Sequence, residues 1–255
     1  MKTVSVINQK GGVGKSTTAE MLISALSLKN FKVLAIDLDA QGNLSYSLAS
    51  DSNSPTILEV LTEEITAKDA IKHARADIIS SNKALAGADA FIADTGKEYR
   101  LKEALEKIEK EYDFCIIDTP PALGILTLNA LTASGSVIIP AQADIYSLQG
   151  IENLEETIKA VKKYCNPNLK IEGILLTRYN PRTILSREVS EMAEKLAEKL
   201  ETKLFKAKIR DAVAVKEAQI SQESLFEYAP KSNVTQDYES FINEFLGKER
   251  NRKNG

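Results

Sequence analysis

The sequence predicts an α/β fold: a doubly wound, mostly parallel sheet flanked by helices on both faces. Short apolar runs rich in β-branched residues recur along the chain, at 4–7, 33–36, 114–117, 137–139 and 171–176. Runs without polar alternation suit strands buried on both faces, as in parallel sheets. Helical patterns lie between them, which makes each strand–helix–strand passage a crossover unit. The chain has 255 residues, 43% hydrophobic and 27% charged, which suits one large domain with a full core.

Taken in order, the strand at 4–7 leads into a helix at 17–28 and then the strand at 33–36. Residues 41–96 are the least regular part; they mix short helices at 57–61 and 67–74 with polar links and are read as an elaboration of the same domain. A helix at 98–110 follows, with Leu101, Leu105 and Ile108 at i, i+4, i+7 spacing. Beyond the strand at 114–117, helices at 151–164 and 186–200 alternate with the remaining strands. The expected organisation is a single domain over 1–247 and a flexible charged tail over 248–255.

Composition excludes several classes. There is no run of about 18 apolar residues, so no membrane-spanning helix is expected. The first strand leaves no room for a signal peptide. The two cysteines, Cys115 and Cys165, are read as reduced thiols, and a cytoplasmic location follows. The net charge of −3 argues against coating nucleic acid with the whole surface, so any such contact must use a local patch. The single histidine, His73, has no partner cluster and is read as solvated or capping.

The strongest chemical signal is Gln9-Lys10-Gly11-Gly12-Val13-Gly14-Lys15-Ser16-Thr17. It fits the P-loop pattern G-x-x-x-x-G-K-[ST], with Gln9 in place of the first glycine. A strand ends just before it and a helix begins near Lys15. Glycines allow backbone N–H groups to turn around phosphate oxygens, and the helix N-terminus adds a favourable dipole. Lys15 is therefore expected on the β- and γ-phosphates of ATP, Ser16 on Mg2+, and Thr17 on the α-phosphate. Two acidic strand ends support this: Asp37 and Asp39 close the second strand, and Asp118 closes the third. Carboxyl ends of parallel strands converge on a ligand crevice. Asp118 is the expected carboxylate near the metal, with Ser16 and Asp39 as further metal candidates, and Asp37 or Asp39 is placed to orient an attacking water.

These motifs resemble the ParA/MinD family of deviant Walker P-loop ATPases. The resemblance rests on Lys10–Thr17, on Asp-Leu-Asp-Ala-Gln-Gly-Asn at 37–43 and on Asp-Thr-Pro-Pro-Ala-Leu-Gly at 118–124, and it covers nearly the whole chain. Asn129-Ala130-Leu131, Pro140-Ala141-Gln142 and Gln149-Gly150 are similar to ParA-type DNA-partition proteins. The resemblance implies a weak ATPase that forms an ATP-sandwich homodimer. Lys10 matches the signature lysine that reaches the partner's ATP, and Asp39 the aspartate that activates water. The resemblance also implies that Pro120 and Pro121 lie in a γ-phosphate-sensing segment. It places adenine contacts near 177–180 and 210–212, including Arg210 and Asp211.

The resemblance further implies sequence-blind DNA binding, ATPase stimulation by a ParB-type centromere-binding adaptor, and association with the nucleoid. Five Lys/Arg against one acid in 203–216 make Lys203, Lys206, Lys208 and Lys216 candidate phosphate contacts, with Arg187 beside them; Arg210 is the fifth cation. Ala212-Val213-Ala214 stands where chromosomal-branch relatives show an arginine before the pair matching Glu217-Ala218, so neighbouring lysines would carry that contact. Some relatives carry an N-terminal helix-turn-helix; this chain starts at the first strand, and operator binding is not expected.

Three other readings compete, one of them a regulatory scaffold that binds ATP but scarcely hydrolyses it. A MinD-like membrane-cycling ATPase would need a lipid-binding C-terminal helix. Tyr238, Phe241, Ile242 and Phe245 have helical spacing, but Asp237, Glu239 and Glu244 among them favour docking on the core, with no membrane partner. An iron–sulfur electron-transfer protein would need exposed loop cysteines, which Cys115 and Cys165 do not match.

Overall fold

The apolar runs become strands with little adjustment, and the polar residues within them, Ser5 and Glu172, are themselves buried. The structure is a computed structural model that describes residues 1–92 and 94–253. In chain order its elements are β1 (Lys2–Val6), α1 (Lys15–Leu28), β2 (Val33–Asp37), α2 (Asn43–Ser47), α3 (Ile57–Leu61), β3 (Lys72–His73), β4 (Asp77–Ile79), α4 (Ala88–Phe91), α5 (Arg100–Glu106) and β5 (Phe114–Asp118). They continue as α6 (Ile125–Ala133), β6 (Ser136–Gln142), α7 (Ile145–Tyr164), β7 (Lys170–Thr177), α8 (Ile184–Lys199), α9 (Val213–Ser221), α10 (Leu225–Tyr228) and α11 (Asn233–Lys253).

The seven strands run in the order β3-β4-β2-β5-β1-β6-β7. All neighbouring pairs are parallel except β3 with β4. From β1 the chain passes to β2 on one side, and from β5 it crosses to β6 on the other. The carboxyl end of β1, between β5 and β6, is thus the switch point where a crevice opens.

Side-chain alternation divides the core. Val4, Val6, Ala35 and Ile116 pack in one layer with α1 and α11. Leu34, Ile36, Cys115 and Ile117 pack in another with α3, α5 and α6. Ile7, Val137, Ile139 and Leu176 join α7 and α8 in a third.

One expected element is different. Residues 67–70 form a single turn closed by i→i+3 bonds, Asp69 N to Thr66 O and Ala70 N to Ala67 O, both at 3.2 Å. The chain then enters the edge strand β3, where a helix over 67–74 was expected. Ala67 and Ala70 are buried as in the expected helix, but β4 offers an open edge, and Lys72 and His73 pair with Ile78 and Asp77. His73 is exposed, and its Nδ1 lies 2.6 Å from Asp77 Oδ1. The helix expected at 98–110 is also shorter: a 3-10 turn, Lys97–Tyr99, leads into α5. Leu101, Leu105 and Ile108 are nonetheless buried.

The last helix, α11, docks on the core. Tyr238, Phe241, Ile242 and Phe245 are all at most 2% exposed. The Phe241 ring meets Phe205 edge-on at 4.9 Å, and Phe245 lies 6.4 Å from Phe114. The helical backbone continues to Lys253, through most of the stretch whose composition reads as a tail; residues 254 and 255 lie outside the described ones. No helix among the described residues is long and apolar enough to cross a membrane. Phe241→Ala should destabilise the fold by about 3–5 kcal/mol, the usual cost of emptying a fully buried phenylalanine site. Urea unfolding would measure it, and a loss below about 1 kcal/mol would mean that α11 is not part of the core.

Candidate active site

The loop after β1 is shaped by two residues in left-handed conformation, Gly12 at φ 75° and Gly14 at φ 88°. A side chain at either position would be strained, which explains glycine there. Gly14 is the N-cap of α1 and offers no side-chain cap. The first N–H groups of this helix are thus left for a ligand. Behind the loop, Thr177 Oγ1 donates to Val13 O at 2.9 Å, and Asn8 Nδ2 donates to Pro140 O at 2.7 Å while its Oδ1 accepts from Lys10 N at 3.0 Å. The loop is therefore tied to β7 and β6 as well as to its own strand.

A cleft of about 670 Å3 opens above it, lined by Gly11, Gly12, Gly14, Lys15, Ser16, Thr17, Asp39, Pro121, Arg178, Lys216 and Gln219 among others. A recess of about 110 Å3 adjoins it, lined by Val13, Thr177, Arg178, Arg210, Asp211 and Ala212 among others. A hollow of similar size, about 620 Å3, lies at the other end of the sheet, where Lys2, Ser136 and Lys170 begin their strands. Its lining includes no glycine loop leading into a helix, so the phosphate chemistry belongs to the first cleft.

Asp118 is fully buried, and neither of its oxygens has a hydrogen-bond partner among the described residues. Burial drives its pKa well above the carboxylate range and the Asp37 charge adds to this; Ser16 and Lys15 act the other way. Asp37, directly opposite Asp118 in the register, is raised to about 6 by burial. It accepts from Ser45 N and Ser45 Oγ at 2.8 Å and from Asp39 N at 3.1 Å. Asp37 therefore fixes the turn into α2, while Asp39 is the acid that lines the cleft. Lys15 is 7% exposed; burial lowers its pKa, opposed by Asp118 and Asp39. Its Nζ donates to Lys10 O at 3.1 Å.

A hard divalent cation fits this chemistry. Two buried, unpartnered carboxylate oxygens beside a serine hydroxyl supply oxygen donors, and no group of three or more His, Cys, Asp or Glu among the described residues could hold a metal alone. An ion held by one or two protein oxygens must take its other ligands from phosphate and water, as magnesium does.

Lys10 does not line the cleft. Its Nζ sits 2.8 Å from both oxygens of Asp144, which also caps α7 by accepting from Ser147 N at 2.9 Å. Partial burial would raise the Asp144 pKa, but the bonds from Lys10 and Ser147 outweigh it and hold it below the usual range.

The basic segment is dispersed rather than gathered. Lys203 Nζ lies 2.7 Å from Glu244, and Arg210 makes a forked pair with Asp237 at 2.6 and 2.8 Å. Lys208 donates to Ser190 Oγ at 2.6 Å. Lys206 and Arg187 are exposed. Lys216 lines the nucleotide cleft. Asn8, Asp144, Thr177 and Gln219 shape the site but carry no motif of their own; only their positions at strand and helix ends could have suggested them.

The glycine loop, buried lysine, serine and strand-end aspartates define a nucleotide-binding P-loop protein. The comparisons narrow this. A family model described as an AAA domain matches residues 1–171. The chain is 38% identical over 243 residues to the sporulation initiation inhibitor protein Soj of Bacillus subtilis, covering 93% of this chain and 95% of that protein. It is 35% identical over 261 residues to the chromosome partitioning protein ParA of Caulobacter vibrioides, covering 99% and 97%. Among solved structures, cobyrinic acid a,c-diamide synthase from Mycobacterium smegmatis, bound to an ATP analogue and magnesium, matches with TM-score 0.84 at 35% identity, over 95% of this chain and 93% of that one. The chain belongs to the ParA/MinD family of P-loop ATPases.

Lys15→Ala should abolish ATP binding, because it removes the ammonium placed among the phosphate-facing groups. Titration with a fluorescent ATP analogue tests this, and an unchanged dissociation constant would overturn the assignment of the loop.

Proposed function

We propose that this chain is a ParA-type DNA-partition ATPase, working as a nucleotide-sandwiched dimer. The observation that carries the reading is the division of labour between two lysines on one loop: Lys15 lies in its own cleft, whereas Lys10 stands outside it on Asp144. A lysine kept beside a phosphate site but not in it suits service to a second subunit's nucleotide. Exposed apolar residues near the cleft, Tyr46 at 54% and Ile220 at 74%, support a self-association face there. The similarity to Soj and to ParA supports the partition role.

ATP is the substrate, and Ser16 and Asp118 would hold magnesium, which neutralises charge on the phosphates. Asp39 is the cleft-lining acid placed to orient water, since Asp37 is held by Ser45 N and Oγ while Asp39 accepts from Gln41 N at 3.0 Å through Oδ1. Lys10 from the second copy would offset charge growing on the γ-phosphate. The ATP dimer binds DNA without sequence preference on the nucleoid, a ParB-type adaptor triggers hydrolysis, and the ADP form lets go. A membrane-cycling role is disfavoured, because the four apolar residues that α11 could offer to lipid are buried in the core.

Co-sedimentation with DNA in ATP, ADP and no nucleotide, with liposomes in parallel, tests the reading. DNA should pellet the protein only with ATP; liposome binding instead would favour the membrane class. Asp39→Ala should trap an ATP-bound dimer, visible as a larger species in size exclusion, and normal turnover in that variant would assign water activation to another acid. Reversing charge at Lys206 and Lys208 should weaken DNA binding and lower the salt slope by about 2. Retained binding with the same slope would place the DNA surface elsewhere.

A further inference from the structure

We propose that Gln219, on α9, is a nucleotide-positioning residue: its carboxamide holds the Thr17 hydroxyl so that the hydroxyl proton is presented to a phosphate. This rests on the nucleotide reading above and deepens it by adding a wall to the site from a segment 202 residues away in sequence.

Gln219 Nε2 donates to Thr17 Oγ1 at 3.0 Å. A hydroxyl has one proton and two lone pairs, and an amide nitrogen only donates. The contact therefore fills an acceptor position of Thr17 and leaves its proton to be placed. A threonine in a helix often donates to the carbonyl four residues back. Here that carbonyl is Val13 O, one of whose two acceptor positions is already taken by Thr177 Oγ1 at 2.9 Å. Thr17 lines both the cleft and the adjoining recess, so a phosphate oxygen, which only accepts, is the complementary partner.

α9 is braced for this task. Gln222, which ends the helix at φ 55°, donates through Nε2 to Tyr46 O at 2.9 Å. Arg75 donates to Gln222 O at 3.2 Å, and also to Glu20 Oε1 and Ser24 Oγ of α1 at 3.2 and 3.3 Å. The phosphate helix α1 and α9 are thus joined at Thr17 and again, through Arg75, one and two turns further along. Lys216, three residues before Gln219, lines the same cleft and recess, and places a cation on the same wall.

The test uses the full chain, magnesium and fluorescent ADP and ATP, with Lys15→Ala as the control. Gln219→Met keeps the volume without the donor, and should weaken both nucleotides by roughly 3- to 10-fold, the range of one net hydrogen bond. Gln219→Glu can only accept and adds a negative charge; it should take the Thr17 proton and lose more than about tenfold. Thr17→Ala and the Thr17→Ala/Gln219→Met double variant should bind alike, because Gln219 acts through Thr17. A packing role alone would not produce that coupling, and the melting temperature of each variant without nucleotide checks that it folds. If both Gln219 variants bind like wild type, if the losses with Thr17→Ala add, or if only ATP is affected, the proposal is wrong. Should Lys15→Ala also bind normally, the nucleotide reading itself fails; loss in Lys15→Ala alone removes only the Gln219 role.

Discussion

Asp118 ends β5 with both carboxylate oxygens buried and, among the described residues, without hydrogen-bond partners. An uncompensated buried carboxylate costs several kcal/mol. The surroundings make it worse: Asp37 faces it across the sheet register and Asp39 is close enough to raise its pKa further. Lys15 is the ammonium that offsets this cluster, and burial weakens its own hold on the proton. A divalent cation with a polyphosphate answers both needs, since the ion meets the carboxylate and the phosphates meet the lysine. The same groups that crowd charge at this site would therefore favour a metal–nucleotide complex.

That concentration of charge is possible because of how the sheet is built. β1, β2 and β5 are adjacent and parallel, so their carboxyl ends arrive at one edge. Lys2 to Val6 of β1 and Val33 to Asp37 of β2 each pair in register with Phe114 to Asp118 of β5. α1 lies on one face and α6 on the other, and the crevice between them receives the glycine loop. The polar network holding that loop is long-range: Asn8 to β6, Thr177 to the loop, and Gln219 to the phosphate helix.

This explains what the sequence shows and what it conceals. The sheet and its long helices are legible, because burial on two faces produces long apolar runs with few rivals. The phosphate loop is legible for a different reason: Gly12 and Gly14 need positive φ, and Lys15 and Ser16 follow at a fixed spacing. The edge strand β3 is concealed, since two residues cannot display a period and Ala67 and Ala70 mimic a helix face. The separate duties of Asp37 and Asp39 are concealed too. Alternation places both on one side, but Ser45, eight residues beyond Asp37, decides which acid is engaged. The basic run at 203–216 reads as one patch, yet Glu244 and Asp237 of α11 reach back to pair with Lys203 and Arg210. Partners supplied by a later helix leave no local trace.

The two lysines of the loop are connected in a way that neither the motif nor the charge count suggests. Lys15 donates to the carbonyl of Lys10, and the Lys10 ammonium rests on Asp144. If Lys15 turned to a phosphate it would release that carbonyl, and the backbone at Lys10 would lose one of its restraints. The remaining tether is a partly exposed ion pair, with Lys10 32% and Asp144 25% exposed, and pairs of this kind contribute at most about 1 kcal/mol. A γ-phosphate presented by a second copy carries more charge than Asp144 and would sit in a water-poor interface where charge pairing is stronger. On the proposed reading, Lys10 would leave Asp144 at small cost once a nucleotide-loaded partner arrived, and would have little reason to leave before. In the proposed dimer, an ordinary surface ion pair would in this way make one subunit's lysine respond to the nucleotide state of both.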